Sequence, residues 1–268
     1  MKKRRWYPAF LAATLTVMTA PMLSAQEKGS TQPASAPEAM LILKKMSNFL
    51  AAAGRFSVTI HDGYDVVQKS GEKIEFGELR SVTVSRPDRL RIEVERSDGQ
   101  KGSVIFDGKD ITVYTADNNI YATAPKQGTL DQAIKYALDD LKIRMPLALM
   151  LLSTLPTELD TLGVSADYVE TTTITDVPCD HLAARTAGGV DFQVWVAQGS
   201  EPLPRRIVIT YKNENGQPQF WADLSKWNLA PEFSDALFSF TPPNGAERIQ
   251  FLAEAHNASA TPKKGDNK

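Results

Sequence analysis

The chain has 268 residues, with 30 lysines and arginines against 32 acidic residues and a formal net charge of −2. This mildly acidic balance argues against nucleic acid as a partner. Cys179 is the single cysteine, so no internal disulfide is available and stability must come from an ordinary core.

The first segment predicts export. Lys2, Lys3, Arg4 and Arg5 precede a mostly apolar run from Trp6 to Met22, which closes at Leu23-Ser24-Ala25. That is the layout of a secretory signal peptide cut after Ala25. Pro8, Thr14, Thr16, Thr19 and Pro21 interrupt the run, which suits a cleaved peptide better than a membrane anchor. Removing it leaves the mature chain more acidic. No later stretch has the length and apolarity of a transmembrane span, so the expected location is periplasmic.

Residues 26–36 read as a flexible leader of Gln, Glu, Lys, Gly, Ser, Thr, Pro and Ala. A helix is expected from Pro37, a favoured first-turn residue. Ala39, Leu43, Met46, Leu50 and Ala53 recur at helical steps until Gly54. The period then changes to two. Phe56, Val58 and Ile60 alternate with polar residues. Ile74 and Phe76, Val82 and Val84, then Leu90, Ile92 and Val94 do the same. Val104 and Phe106, Ile111 and Val113, and Ile120 and Ala122 continue the series. Asp62-Gly63, Ser70-Gly71, Asp98-Gly99, Asp107-Gly108 and Asp117-Asn118-Asn119 read as turns, so their aspartates are expected to be turn formers. This is the pattern of an antiparallel meander with one apolar face.

The middle is helical. Thr129 and Gln132 form a capping box before Leu130, Ala133, Ile134, Ala137, Leu138 and Leu141. After Pro146, the run Leu147 to Leu152 is apolar on every side and must be buried or meet something greasy. Strands resume with Val169–Thr173, His181-Leu182, Phe192–Val196, Ile207–Tyr211 and Phe220–Leu224. A helical turn is expected near Ser234 to Leu237. The tail, residues 253–268, reads as disordered, and residues 37–252 as a single folded domain.

Roughly ten strands with one apolar face are not expected to stay an open flat sheet in water. They should curve around that face, with helices covering the rest. The predicted fold class is α+β, a curved antiparallel sheet covered by helices. The strands read as shorter than the roughly 9–11 residues of an outer-membrane barrel strand.

Signals for catalysis are weak. Cys179 and His181 point to one face of a strand, but the pleat separates them, so ordinary strand roles are expected. No G-x-S-x-G elbow, phosphate-binding Gly loop, H-E-x-x-H or EF-hand loop is present. No catalytic residue, metal site or cofactor is predicted. What stands out is apolar: Phe56, Phe76, Phe106, Phe192, Tyr211 and Phe220 at inward strand positions, with Leu149 and Leu152 in the greasy segment. These eight line either a filled core or, if the sheet is hollow, a cavity for an acyl chain with 149–152 as lid. The same residues serve both arrangements.

Several stretches carry a family resemblance: Arg86-Pro87-Asp88-Arg89-Leu90-Arg91, Phe106-Asp107-Gly108-Lys109-Asp110-Ile111, Asn119-Ile120-Tyr121-Ala122, Val177-Pro178-Cys179-Asp180-His181-Leu182, Pro202-Leu203-Pro204-Arg205, Trp227-Asn228-Leu229-Ala230-Pro231 and Leu237-Phe238-Ser239-Phe240-Thr241-Pro242-Pro243. In this order they resemble the bacterial periplasmic family called domain of unknown function 2092 (DUF2092), over about Glu38 to Ile249. That family is similar to the lipoprotein carriers LolA and LolB. The resemblance implies a LolA-like half-open barrel closed by helices around an apolar cavity. The wider group includes envelope-stress sensors of similar fold. Gln26, not a cysteine, stands directly after the expected cut, unlike in the membrane-anchored LolB, and no functional residue of the carriers maps onto this chain. Two functions are therefore expected in order: a non-enzymatic binder or carrier of a lipid or lipid-modified partner such as a lipoprotein, or an envelope sensor that binds a protein partner with a filled core.

Overall fold

The computed structural model describes residues 36–251. The expected signal peptide and tail, and all of the leader but Ala36, lie outside the described residues.

Helix α1 (Ala36–Ala52) buries Ala39, Leu43, Met46 and Leu50, the stripe that the sequence spacing marks. Six strands follow: β1 (Arg55–Val67), β2 (Lys73–Ser85), β3 (Arg89–Arg96), β4 (Lys101–Phe106), β5 (Asp110–Thr115) and β6 (Ile120–Pro125). Helix α2 (Leu130–Asp139) starts at the expected capping box. The Thr129 hydroxyl accepts from the Gln132 backbone N–H, and the Gln132 side chain accepts from that of Thr129. Such a cap stabilises a helix by about 1 kcal/mol. The greasy segment makes one 3₁₀ turn, Ala148–Leu151, and helix α3 (Leu155–Thr161) follows it. The second meander is β7 (Ser165–Ile174), β8 (Val177–Arg185), β9 (Val190–Ala197), β10 (Pro204–Tyr211) and β11 (Gln219–Asn228). A 3₁₀ turn at Asp235–Phe238 leads to the short β12 (Glu247–Ile249).

All twelve strands form one sheet, ordered β12-β6-β5-β4-β3-β2-β1-β11-β10-β9-β8-β7. Pairing of β1 with β11 joins the two meanders, so the chain's first strand lies near the middle. Every pairing is antiparallel except β12 with β6, which is parallel. The sheet is thus mixed, not wholly antiparallel. Residues from both meanders and from all three helices share one buried cluster, which requires the sheet to curve around the helical layer.

Two expectations need correction, and two short elements are additional to those expected. Asp62-Gly63 is not a turn. It lies inside β1, where both residues pair with β2 on one side and β11 on the other. Alternation through Ile60, Asp62 and Tyr64 prevails over the turn preference of Asp-Gly because two neighbouring strands hold the backbone extended. A Cβ at Gly63 would meet the Trp221 indole at 2.7 Å, so any larger residue there would have to displace that ring. Second, strand length does not distinguish this sheet from a membrane barrel, because β1 and β2 each run 13 residues. The distinction lies in topology: among the described residues β12 and β7 are edges, whereas a lipid-spanning sheet must close. The additional elements, α3 and β12, carry no clear sequence signal, being only 7 and 3 residues long. No helix among the described residues is long and apolar enough to cross a membrane.

Candidate functional site

Strand register orders the inward face of β1 to β5 into bands. The first band joins Phe56, Val84, Leu90, Phe106 and Ile111, and the second joins Val58, Val82, Ile92, Val104 and Val113. Both are wholly apolar. The third runs Ile60, Arg80, Val94, Gly102 and Thr115, and the fourth Asp62, Glu78 and Arg96. One surface therefore passes from aromatic and aliphatic to charged within four rows, because every second residue of each strand faces the same way.

A cavity of about 420 Å³ lies over the second, third and fourth bands. Val82, Ile92, Val104 and Val113 line its apolar end, and Phe220 of β11, which pairs with Tyr64, lines it beyond the fourth band. Its roof is the segment after α2: Ile143, Met145, Leu147, Ala148 and Leu151. Its polar end carries Glu78, Arg80, Arg96 and Arg144. Lys101 also borders it, though its ammonium pairs with Glu95 at 3.3 Å. A volume in the range of roughly 300–1,000 Å³, mostly apolar with a few convergent polar groups, is what small-molecule sites have. A second void of about 20 Å³ shares Ile60, Val82, Leu147 and Leu151 with the first and reaches Phe56 and Trp227.

Charges at the polar end are arranged around Glu78. Arg80 Nε donates to its Oε2 at 3.1 Å, and Arg96 Nε lies 3.5 Å from its Oε1. Behind Arg80, Asp62 is fully buried, with Oδ1 3.3 Å from Arg80 Nη2. Neither Asp62 oxygen has a hydrogen bond among the described residues. Burial pushes its carboxyl up to about 7, Arg80 opposing and Glu78 adding to the rise. In the roof segment, the Arg144 guanidinium sits 5.3 Å over the Tyr211 ring and 3.9 Å from Glu214. Burial raises the Tyr211 hydroxyl above its ordinary pKa, and Arg144 opposes that rise.

The eight aromatic and aliphatic candidates are distributed over this frame. Phe220 lines the large cavity and Phe56 the small void. Phe106 and Leu152 are buried in the core cluster; Leu149 and Phe192 are partly buried against it. Tyr211 is half-buried and holds Arg144. Phe76 is on the inward face but 43% exposed, because β1 and β2 overshoot the helical cover; it stacks on Tyr64 at 6.0 Å between centroids. The roof is made by the greasy segment, through Leu147, Ala148 and Leu151 rather than Leu149 and Leu152. Missed from the sequence were Asp62, Glu78, Arg80, Arg96 and Arg144. The signal for three of them was present, since Glu78, Arg80 and Arg96 keep the inward phase of β2 and β3 and break its apolar pattern.

Cys179 and His181 serve the strand. The thiol is buried, which raises its pKa, and Sγ lies 3.3 Å from Val177 O. His181 stacks on Trp195 at 3.9 Å and its Nε2 is 3.0 Å from Gln193 Oε1. Among the described residues no cluster of three His, Cys, Asp or Glu side chains could hold a metal.

Residues 39–252 match the family described as "Predicted periplasmic protein (DUF2092)". The chain belongs to that family. The DUF2092 match spans all the bands of the inward face and the roof above them. No curated protein matches the chain significantly. Among solved structures, a conserved protein of Thermus thermophilus is similar at 11% identity, covering 80% of this chain and 99% of its own, with a TM-score of 0.47. A LolA superfamily protein of Nitrosomonas europaea is similar at 12% identity, over 77% of this chain and 98% of its own, with a TM-score of 0.39. The Pseudomonas aeruginosa MucA/MucB complex matches at 15% identity, over 76% of this chain and 61% of the matched chain, again with a TM-score of 0.39. At these scores the likeness carries no functional information.

Proposed function

We propose that this DUF2092 protein is an exported, non-enzymatic binder or carrier of a lipid or lipid-modified partner, with the apolar part of the ligand under the 143–151 roof. On this reading residues 1–25 are removed and residues 37–252 act as one domain, a LolA-like half-open barrel. The observation that carries the proposal is the cavity: about 420 Å³ with a wall of valine and isoleucine from four adjacent strands. An apolar floor of that size left to water forgoes roughly 25 cal/mol for each Å² that a ligand would cover. The test is titration of the mature protein with a neutral fluorescent naphthylamine, with a Val104→Phe variant as control. Saturable fluorescence gain that the variant lacks supports the proposal; no saturable gain in the unaltered protein overturns it.

A second reading has its own observation. Val66, Ile74 and Phe76 are exposed on the inward face of the β1–β2 hairpin beyond the helices. An exposed apolar cluster suits docking of an envelope protein. Retention of a protein partner by a variant with a filled cavity, and its loss on Phe76→Ser, would favour that role.

A further inference from the structure

We propose that the cavity selects a single-chain amphiphile with an anionic head, the chain lying on the valine and isoleucine band and the head meeting Arg80, Arg96 and Arg144. This rests on the apolar-cavity reading above and names the class of ligand.

The first support is direction. Between the second band and the fourth the inward face passes from apolar to charged, with the Tyr64–Phe76 and Val66–Ile74 pairs lying beyond the charged row, so a ligand whose chain covers the second band and whose head reaches the fourth must itself be amphipathic. The second is sign. Three arginines line the polar end against one glutamate. Glu78 is shared by Arg80 and Arg96, so one carboxylate answers two guanidiniums. Arg144 leans on the Tyr211 ring, and its acidic neighbour Glu214 is 3.9 Å away and does not line the cavity. Asp62 supplies little further negative charge below neutral pH, because burial holds its carboxyl up near 7. A carboxylate or phosphate arriving at this end completes a positive site. It forms charge-assisted hydrogen bonds in a partly dry environment, where they are stronger than in water. The third is size. At about 420 Å³ the cavity lies in the lower part of the usual ligand range of roughly 300–1,000 Å³, which favours one chain over two.

The test compares dodecanoate with dodecanol by titration calorimetry on the mature protein, below micelle-forming concentrations. Lysophosphatidylglycerol then replaces dodecanoate to distinguish a phosphate head from a carboxylate. Dodecanoate or the lysolipid is expected to bind about tenfold more tightly than dodecanol, the scale of a charged hydrogen bond at a partly exposed site. Arg96→Met with Arg144→Met is expected to erase that preference and leave dodecanol unchanged. Both arginine side chains are more than half exposed, at 55% and 66%, so the variant should fold. Salt titration of the unaltered protein gives the same information without mutation, because only binding of the anion should weaken with ionic strength. Equal affinity for alcohol and anions overturns the charged head and leaves the apolar cavity standing. Binding of none of them overturns both.

Discussion

Arg80 Nη2 lies 3.3 Å from Oδ1 of Asp62, a carboxylate fully buried inside β1. The ion pair does not offset burial, which holds the Asp62 carboxyl near 7 against an ordinary value close to 3.9. Protons therefore bind the folded state more readily than the unfolded one. The stabilising contribution of neutral Asp62 is fully present below about pH 4 and is lost as pH rises to about 7. One pKa unit corresponds to about 1.4 kcal/mol, so the change amounts to a few kcal/mol at most. Urea denaturation at pH 5 and pH 8 should show the protein less stable at the higher pH. Asp62→Asn should remove most of that difference. An unchanged slope in the variant would mean that Asp62 titrates normally.

The greasy segment is expected to be held by Leu152 more than by its neighbours. Leu152 has 0% exposure in the core cluster, so Leu152→Ala should cost about 2–5 kcal/mol and lower the urea midpoint. Phe76→Ala removes a larger side chain, but one 43% exposed at a hairpin end, and should cost about 1 kcal/mol or less. Comparable midpoints for the two variants would contradict this placement.

Cys179 should behave as a structural thiol. Burial raises its pKa, and reaction requires the thiolate. Labelling by a disulfide reagent should be slow in the folded protein and rapid in denaturant. Fast labelling under native conditions would show that β8 opens.

Filling the cavity should separate stability from binding. Val104 sits between Ile92 and Val113 on the cavity wall. Val104→Phe has empty space to occupy, so the melting temperature should hold or rise, while uptake of dodecanoate falls by at least about tenfold. Uptake at the level of the unaltered protein would place the ligand elsewhere.

Much of the architecture was legible because it rests on local periodicity. Ala39, Leu43, Met46 and Leu50 specify α1 by spacing alone, and Thr129 with Gln132 specifies the start of α2. The β3 alternation of Leu90, Ile92 and Val94 survives intact, apart from a partly exposed Val94. What was not legible depends on pairing between distant segments. Asp62-Gly63 looks like a turn until β11, some 160 residues later, pairs beside it. Phe76 looks like core until the helical layer stops short of it. The charged end of the cavity combines residues from β2, β3 and the segment after α2, with Asp62 of β1 buried behind Arg80. Asp62 reads as a turn former, Glu78, Arg80 and Arg96 differ from surface ions only in keeping the inward phase, and the register is what puts Asp62, Glu78 and Arg96 in one row.

The most direct test of the central claim is native mass spectrometry of the protein taken gently from the cells that make it. The account predicts a discrete added mass, released by organic solvent, that is identified as a single-chain lipid and is lost in Val104→Phe. A bare protein mass, together with no uptake when the protein is offered dodecanoate or dodecanol, would contradict it.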